Sequence, residues 1–160
     1  MNSSIVLDTN IISYAAGGHG DEEQAVACSQ IVFTLIDSNE YCLALDTDGH
    51  ILDEYKSNLD DYTNPHTRLI QQFLERQLRN QDGISFYIPI HESEIEELAE
   101  QGFHEDDIMF VRVAPRTDTE LITSCDGESF LDNEHREWIE EELGVSVYSA
   151  IELRSETDIL

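Results

Sequence analysis

The segment that decides the fold is Ser4–Asn10, with the sequence SIVLDTN, in which a short apolar run ends at Asp8. An apolar run of this length is typical of a buried strand in a parallel sheet. In open parallel sheets, ligands bind in the crevice beyond the carboxyl ends of the strands. Asp8 is therefore the strongest candidate for a functional side chain. It also fits a simpler role, because Asp accepts hydrogen bonds from the free amides at the start of a helix.

Beyond this segment, strand-like and helix-like stretches alternate along the chain. Further strands are predicted at 41–45, 84–90, 120–123 and 145–148. Helices are predicted at 21–37, 49–59, 65–80, 92–101, 105–114 and 133–143. Pro89 indicates that the 84–90 strand lies at a sheet edge. The alternation predicts an α/β fold, a three-layer α/β/α sandwich with a mainly parallel central sheet, in a single domain over 1–160.

The balance of charge is unusual. The chain carries 35 acidic and 8 basic residues, which gives a net charge of −27, and Lys56 is its only lysine. The acids are spread along the whole chain, so they predict an acidic surface and not an acidic tail. Such a surface predicts a halophilic source, such as a halophilic archaeon, because at molar salt the Debye length is about 3 Å and self-repulsion is screened. In that medium, acidity counts only weakly against a nucleic-acid partner.

Several classes of protein are not expected from this sequence. The three cysteines, Cys28, Cys42 and Cys125, are odd in number and far apart, which disfavours a disulfide framework or a zinc knuckle. No stretch approaches the eighteen or so consecutive apolar residues of a membrane span, and no signal segment is recognisable. The sequence therefore predicts a cytoplasmic protein with no membrane association.

Acidic residues recur where a parallel sheet would gather them. Asp8 follows the first strand, and Glu54 lies in the helix after the second. Asp107 lies at the start of a later helix, and Asp126 follows the 120–123 strand. Four acids from distant parts of the chain are thus expected at one edge of the sheet.

This arrangement resembles a PIN domain, and the resemblance covers nearly the whole chain. The stretch 5–10 (IVLDTN) is similar to the family's opening motif, which contains the first metal-binding acid. The stretch 51–55 (ILDEY) resembles the helix that carries the second acid, with Glu54 at the matching position. The stretch 107–114 (DIMFVRVA) resembles the third motif. Positions 107, 111 and 114 share one face of the predicted helix, so we expect Asp107 to face the sheet and Asp106 to turn away.

The fourth motif departs from the family pattern. That pattern is usually Thr, one residue and then Asp, whereas Ser124 and Cys125 separate Thr123 from Asp126 here. Two alternatives follow. Either Asp126 still reaches the metal through a one-residue bulge, or Ser124 takes part in its place.

The resemblance implies a metal-dependent endoribonuclease that hydrolyses phosphodiester bonds of RNA, most simply single-stranded RNA, with Mg²⁺ or Mn²⁺ as cofactor. The catalytic residues and metal ligands that it implies are Asp8, Glu54, Asp107 and Asp126. The residues implied to orient them are Thr9, Asn10, Thr123 and Ser124. The candidate phosphate contacts are Arg68, Arg76, Arg79, Arg112 and Arg116. Because small PIN proteins include toxins held by an antitoxin and often form homodimers, an antitoxin or a second copy is a candidate partner.

Two alternative functions stay open on the sequence alone. The stretch 43–49 (LALDTDG) resembles the first motif of haloacid-dehalogenase-type phosphatases, in which Asp46 would attack phosphate and Asp48 would act as acid or base. Against this, Lys56 comes too early in the chain for that family's later motifs. The other alternative is a PIN-like binding module without activity, which the irregular fourth motif suggests.

Overall fold

Five strands and seven α-helices alternate in the computed structural model, which describes residues 2–17, 21–38, 40–61, 63–80 and 82–156. The strands are β1 (Ser3–Leu7), β2 (Tyr41–Asp46), β3 (Ile84–Tyr87), β4 (Leu121–Ser124) and β5 (Ser146–Ser149). The helices are α1 (Thr9–Ala15), α2 (Glu22–Asp37), α3 (His50–Asn58), α4 (Pro65–Asn80), α5 (Ile108–Val113), α6 (Asn133–Leu143) and α7 (Ala150–Ser155). Three short 3₁₀ helices lie at Glu92–Glu94, Leu98–Glu100 and Ala114–Arg116.

The strands form one sheet in the order β3-β2-β1-β4-β5, and every neighbouring pair is parallel. From β1 the chain moves outward in one direction to β2 and β3, and it then crosses back to add β4 and β5 on the other side. Since such crossovers are right-handed, connections that run in opposite directions place their helices on opposite faces of the sheet. The predicted three-layer α/β/α sandwich with a parallel sheet is confirmed.

The burial of β1 and of its neighbour β4 explains why the first strand contains an uninterrupted apolar run. Ile5, Val6 and Leu7 on β1 and Ile122 on β4 have no exposed surface, because helices cover both faces of the sheet at these positions. A buried Tyr55 from α3 donates a hydrogen bond to the Leu7 carbonyl and thereby holds that helix against the end of β1. The backbone position at the end of β1, directly before Asp8, is consequently fixed by its contact with α3.

The predicted elements were close for the long helices and less accurate for the short ones. The predictions for α4 and α6 coincide with the observed helices, and β3 is an edge strand that ends at Tyr87, before Pro89. The predicted helix at 92–101 is wrong. Two 3₁₀ helices occupy this stretch because Glu97, between them, has a left-handed backbone with φ of 62°.

Two further helices differ from the prediction near the sheet edge. The helix predicted at 105–114 has its α-helical part at Ile108–Val113, so Asp107 lies at the N-cap position and not within the helix. The last helix, α7, was not predicted. A capping box begins it, in which the Ser149 hydroxyl accepts a hydrogen bond from the Glu152 amide and the Glu152 carboxylate accepts one from the Ser149 amide.

Candidate active site at the switch point of the sheet

The strand order creates one position where a ligand crevice is expected. The connections that leave β1 and β4 run in opposite directions, so the carboxyl ends of these two adjacent strands form a topological switch point. Asp8 follows β1 directly, and Ser124 is the last residue of β4. The Asp8 amide donates a 2.9 Å hydrogen bond to the Thr123 carbonyl, which extends the pairing of the two strands to the edge of the crevice.

A cavity of about 630 Å³ opens at this switch point. It is lined by all four of the predicted acids, namely Asp8, Glu54, Asp107 and Asp126. We call these four side chains and the cavity between them the carboxylate site. Asp106 and Glu128 also line it, and none of its described lining residues is Lys or Arg. Distant parts of the chain therefore bring six acidic side chains to one cavity.

Asp8 is the most deeply placed of these acids, with only 4% of its surface exposed. The Ser124 hydroxyl donates a 2.6 Å hydrogen bond to its Oδ2. Burial raises the pKa of Asp8 to about 7 against the lowering effect of that hydrogen bond, and the nearby carboxylates of Asp107 and Asp126 raise it further. The helix-capping role is not observed, because the Asp8 side chain makes no capping hydrogen bond within the described chain.

Glu54 lies on the face of α3 that borders the cavity, whereas its neighbour Asp53 is exposed and lies outside the cavity. The Thr9 hydroxyl donates a 2.6 Å hydrogen bond to Glu54 Oε1. The pKa of Glu54 is raised by burial and by the charges of Asp106 and Asp107, while the Thr9 hydrogen bond opposes the rise. Thr9 thus joins the segment that follows β1 to the helix that carries the second acid.

Asp107 is half-buried, and the Ser129 hydroxyl donates a 2.6 Å hydrogen bond to its Oδ2. Burial is the largest cause of its raised pKa, and the charge of Asp126 adds to it. The expectation that Asp106 turns away is wrong, because Asp106 also lines the cavity, where its carboxylate lies 3.3 Å from His104. The cause is the late start of α5, which leaves both acids in a turn and not on opposite faces of a helix.

At the irregular fourth motif, the structure brings both Ser124 and Asp126 to the carboxylate site. Ser124 Oγ accepts a 2.9 Å hydrogen bond from the Asp126 amide while its own proton goes to Asp8. Asp126 itself lines the cavity, and its Oδ1 accepts a hydrogen bond from the Glu128 amide. The extra residue, Cys125, is tied to the site because its amide donates to Asn10 Oδ1 at 3.0 Å.

The structure shows no hydrogen bond between the Thr123 hydroxyl and any of the four acids among the described residues. This hydroxyl is buried and has no hydrogen-bond partner among the described residues. Neighbouring residues of a strand point to opposite faces, so only one of Thr123 and Ser124 can direct its hydroxyl at Asp8. Ser124 makes that contact, and Thr123 contributes only its backbone carbonyl.

Sequence reasoning missed two residues that support the site. Ser129 holds Asp107, and the ring of His135 lies 3.0 Å from the Ser129 carbonyl through Nδ1 and 2.7 Å from the Gln101 carbonyl through Nε2. Both line the cavity. Neither belongs to a pattern of apolar spacing or to a known motif, so no local signal in the sequence marks them.

The carboxylate oxygens of the four acids are of the type that binds a hard divalent cation, although they lie too far apart for three of them to contact one ion directly. Carboxylate oxygens are the ligands that Mg²⁺ and Mn²⁺ prefer, and Mg²⁺ keeps several of its waters when it binds. Among the described residues, no three of the four acids bring ligand atoms within 4.8 Å of one another. A cation at the carboxylate site would therefore be held in part through waters, or only after the acids move closer together.

One tighter group of candidate ligands lies at the end of the neighbouring strand β2, where atoms of Asp46, Asp48 and His50 lie within 4.8 Å of one another. The oxygens of Asp46 are already used. Oδ1 accepts from the Ile51 amide at 2.8 Å, and Oδ2 accepts from the His50 amide at 3.0 Å. Asp46 therefore caps the free amides at the start of α3. Because both of its oxygens accept these hydrogen bonds, its carboxylate is a poor nucleophile for the phosphatase alternative.

The predicted arginine contacts with phosphate are not found at the carboxylate site. None of the five arginines lines its cavity. Arg112, the most buried of them, donates to the Ile90 carbonyl at 2.6 Å and lies 3.6 Å from Glu92. The remaining four are exposed on the surface.

Comparisons with known proteins give no assignment. The chain matches no protein-family model and has no significant match among curated proteins or solved structures. Among the described residues, no helix combines the length and the apolar character needed to cross a bilayer. The geometry of the carboxylate site is accordingly the basis for the functional proposal.

Ser124→Ala is expected to weaken Mn²⁺ binding by about tenfold to a hundredfold, the usual loss when a group that supports a metal ligand is removed. The substitution removes the hydroxyl that donates a hydrogen bond to Asp8 and accepts one from the Asp126 amide. Isothermal titration calorimetry in molar KCl measures the effect. Thr123→Val is the matched control, because the Thr123 hydroxyl contacts no described partner. Equal losses in both variants would contradict the role given to Ser124.

Proposed function

We propose that this protein is a metal-dependent endoribonuclease that cleaves phosphodiester bonds of single-stranded RNA at the carboxylate site. One observation supports this proposal above the others. Four acids that are separated by up to 118 positions in the chain, from Asp8 to Asp126, line one cavity at the switch point of a parallel sheet. Fold stability does not require such a cluster, because like charges in a partly buried site oppose one another.

The composition of the cavity favours a cation-dependent reaction on an anionic substrate. Phosphate that enters a site lined by six acids and by no described Lys or Arg meets repulsion unless a cation accompanies it. Asp8, Glu54 and Asp107 would hold such a cation, and Asp126 would hold a second one or an outer-shell water. When bound, the cation supplies an activated water and stabilises negative charge on the phosphate oxygens.

The other residues of the site would keep the acids in place. Thr9 fixes Glu54, Ser124 fixes Asp8 and Ser129 fixes Asp107, each through a hydroxyl hydrogen bond of 2.6 Å. Asn10 joins the two strand ends, because its Oδ1 accepts from the Cys125 amide and its Nδ2 lies 3.5 Å from Ser124 Oγ. Neutral hydroxyl donors suit ionised carboxylates, which accept hydrogen bonds and cannot donate them.

The net charge of −27 fits this function when the protein works in concentrated salt. Counterion release from a basic surface contributes little to RNA affinity at molar salt, so a basic patch is not required. Screening over a Debye length of about 3 Å also limits repulsion between the acidic surface and the RNA backbone. Assays are therefore designed in molar KCl.

Glu54→Gln tests the proposal, and the adjacent acid Asp53, which lies outside the cavity, provides the control. We expect it to lower the rate of Mn²⁺-dependent cleavage of a labelled single-stranded RNA by about a hundredfold, or about 2.7 kcal/mol, since it removes a charged ligand of the cation. Asp53→Asn removes one charge from the adjacent exposed position and is expected to leave the rate unchanged. Wild-type cleavage should cease when EDTA removes the metal.

The outcomes of this experiment separate the proposed nuclease from the alternatives. Cleavage that is insensitive to Glu54→Gln, or equally sensitive to Asp53→Asn, would count against the carboxylate site. A phosphate-monoester hydrolase activity that is sensitive to vanadate and lost in Asp46→Asn would favour the haloacid-dehalogenase-like phosphatase. A folded protein that binds RNA in molar KCl and cleaves none of it with Mn²⁺ would favour the inactive binding module.

A further inference from the structure

Two cysteines that are far apart in the chain meet beside the carboxylate site. The Sγ atoms of Cys28, in α2, and Cys125, just after β4, lie 3.4 Å apart although 97 positions separate the residues. Both are free thiols, and the third cysteine, Cys42, lies on β2. Sequence spacing disfavoured a disulfide framework, but the fold places this one pair in contact.

We propose that Cys28 and Cys125 form a redox-active dithiol, whose oxidation to a disulfide disturbs the carboxylate site. A disulfide holds its sulfurs about 2.05 Å apart, so the pair must close by about 1.4 Å. Closure on this scale is small enough to be achieved by side-chain rotation and a limited shift of one segment. The two thiols thus need no large rearrangement before they react.

The two cysteines differ in how easily they can move. Cys28 lies within the 16-residue helix α2 and has no exposed surface, so the packed core holds it in position. Cys125 lies in the loop after β4 and retains 9% exposure. We therefore expect Cys125 to meet an oxidant first and its loop to move toward the helix when the bond forms.

The loop that moves is also the one that organises the acids. The Cys125 amide donates to Asn10, the preceding Ser124 donates to Asp8, and the following Asp126 lines the cavity. A shift of Cys125 toward α2 consequently strains the hydrogen bond between Ser124 and Asp8 and displaces Asp126. This part of the inference rests on the proposed function, whereas formation of the disulfide does not.

The reaction balances with a peroxide as oxidant. The Cys125 sulfur attacks one oxygen of hydrogen peroxide, the O–O bond breaks, and the products are a sulfenic acid at Cys125 and one water. The Cys28 sulfur then attacks the Cys125 sulfur, the S–O bond breaks, and the hydroxyl leaves as a second water with the Cys28 proton. Two thiols lose two electrons in total, and one peroxide accepts them.

The experiment treats the full-length protein with hydrogen peroxide in molar KCl and maps its peptides by mass spectrometry without reduction. We expect a peptide that links Cys28 to Cys125 in the wild type and in Cys42→Ser, and none in Cys28→Ala. Wild-type protein in which Cys125 carries only sulfenic or sulfinic acid, or in which Cys42 forms the linkage, would overturn the proposal. The wild-type map decides this even if a variant fails to fold.

A second measurement tests the coupling to the carboxylate site. Mn²⁺ affinity is measured by calorimetry on the reduced protein, on the oxidised protein and after dithiothreitol treatment. We expect oxidation to weaken binding by about tenfold, the lower end of the loss seen when supporting groups are disturbed, and dithiothreitol to restore it. A mapped disulfide with unchanged affinity would overturn the coupling alone. Reduced protein that binds no Mn²⁺ would overturn the proposed function, while the peptide map still decides whether the disulfide forms.

Discussion

Asp8→Asn is expected to lower the rate of Mn²⁺-dependent RNA cleavage by about a thousandfold, or about 4 kcal/mol, and to make the metal-free fold more stable. The loss of activity and the gain in stability both follow from removing the buried charge of Asp8. Asp8 is buried among like charges, where a carboxylate is unfavourable without a cation and is required to hold one. Asparagine has nearly the same shape but carries no charge.

The measurement compares cleavage rates and urea unfolding of the wild type and Asp8→Asn in molar KCl, each with Mn²⁺ and with EDTA. Asp82→Asn is the matched control, because it removes one charge at an exposed position outside the cavity. It should leave both quantities unchanged. A fully active Asp8→Asn enzyme would exclude the proposed mechanism, and an inactive but unfolded variant would show that Asp8 is structural.

The stability of the metal-free protein is expected to fall between about pH 5 and about pH 8, by about 3 kcal/mol more in the wild type than in Asp8→Asn. The sign follows from the direction of the pKa change. In the unfolded chain Asp8 titrates near its ordinary value of 3.8, whereas in the folded protein its pKa is about 7. Between these values the folded state binds the extra proton, so raising the pH favours unfolding until the folded pKa is passed.

Other acids of the site should add to this dependence, since burial also raises the pKa of Glu54 and Asp107. Urea unfolding with EDTA at a series of pH values measures the slope. Saturating Mn²⁺ should offset much of this loss at about pH 8, because ligand at about a hundred times its dissociation constant adds about 2.7 kcal/mol to the free energy of unfolding. A difference between wild type and Asp8→Asn that stays constant over the pH range would contradict the buried position of Asp8.

Local patterns in the sequence predicted the parts of the fold that local chemistry determines. The apolar run before Asp8 predicted a buried central strand, and the helices predicted at 65–80 and 133–143 have the observed ends. The position of Asp8 at the edge of the sheet followed from the general rule for parallel strands. These features depend on neighbours within a few positions of each residue.

Features that depend on tertiary contacts were not predictable in the same way. Whether Thr123 or Ser124 faces Asp8 depends on the register of β4, and a shift of one residue reverses it. Ser129 supports Asp107 from 22 positions away, and Cys28 meets Cys125 across 97. The 92–101 stretch contains helix-forming residues, but its backbone follows the left-handed turn at Glu97.

A serine hydroxyl has a single proton, and at position 124 that proton goes to Asp8. Its lone pairs must then receive the hydrogens that come from the Asp126 amide and, more distantly, from the Asn10 side chain. The hydrogen bonds at the end of β4 therefore run in one direction, from the Asp126 amide and the Asn10 side chain to Ser124 and from Ser124 to the buried Asp8. Substitutions at Asn10 and Asp8 should be energetically non-additive, because both act through this one oxygen atom.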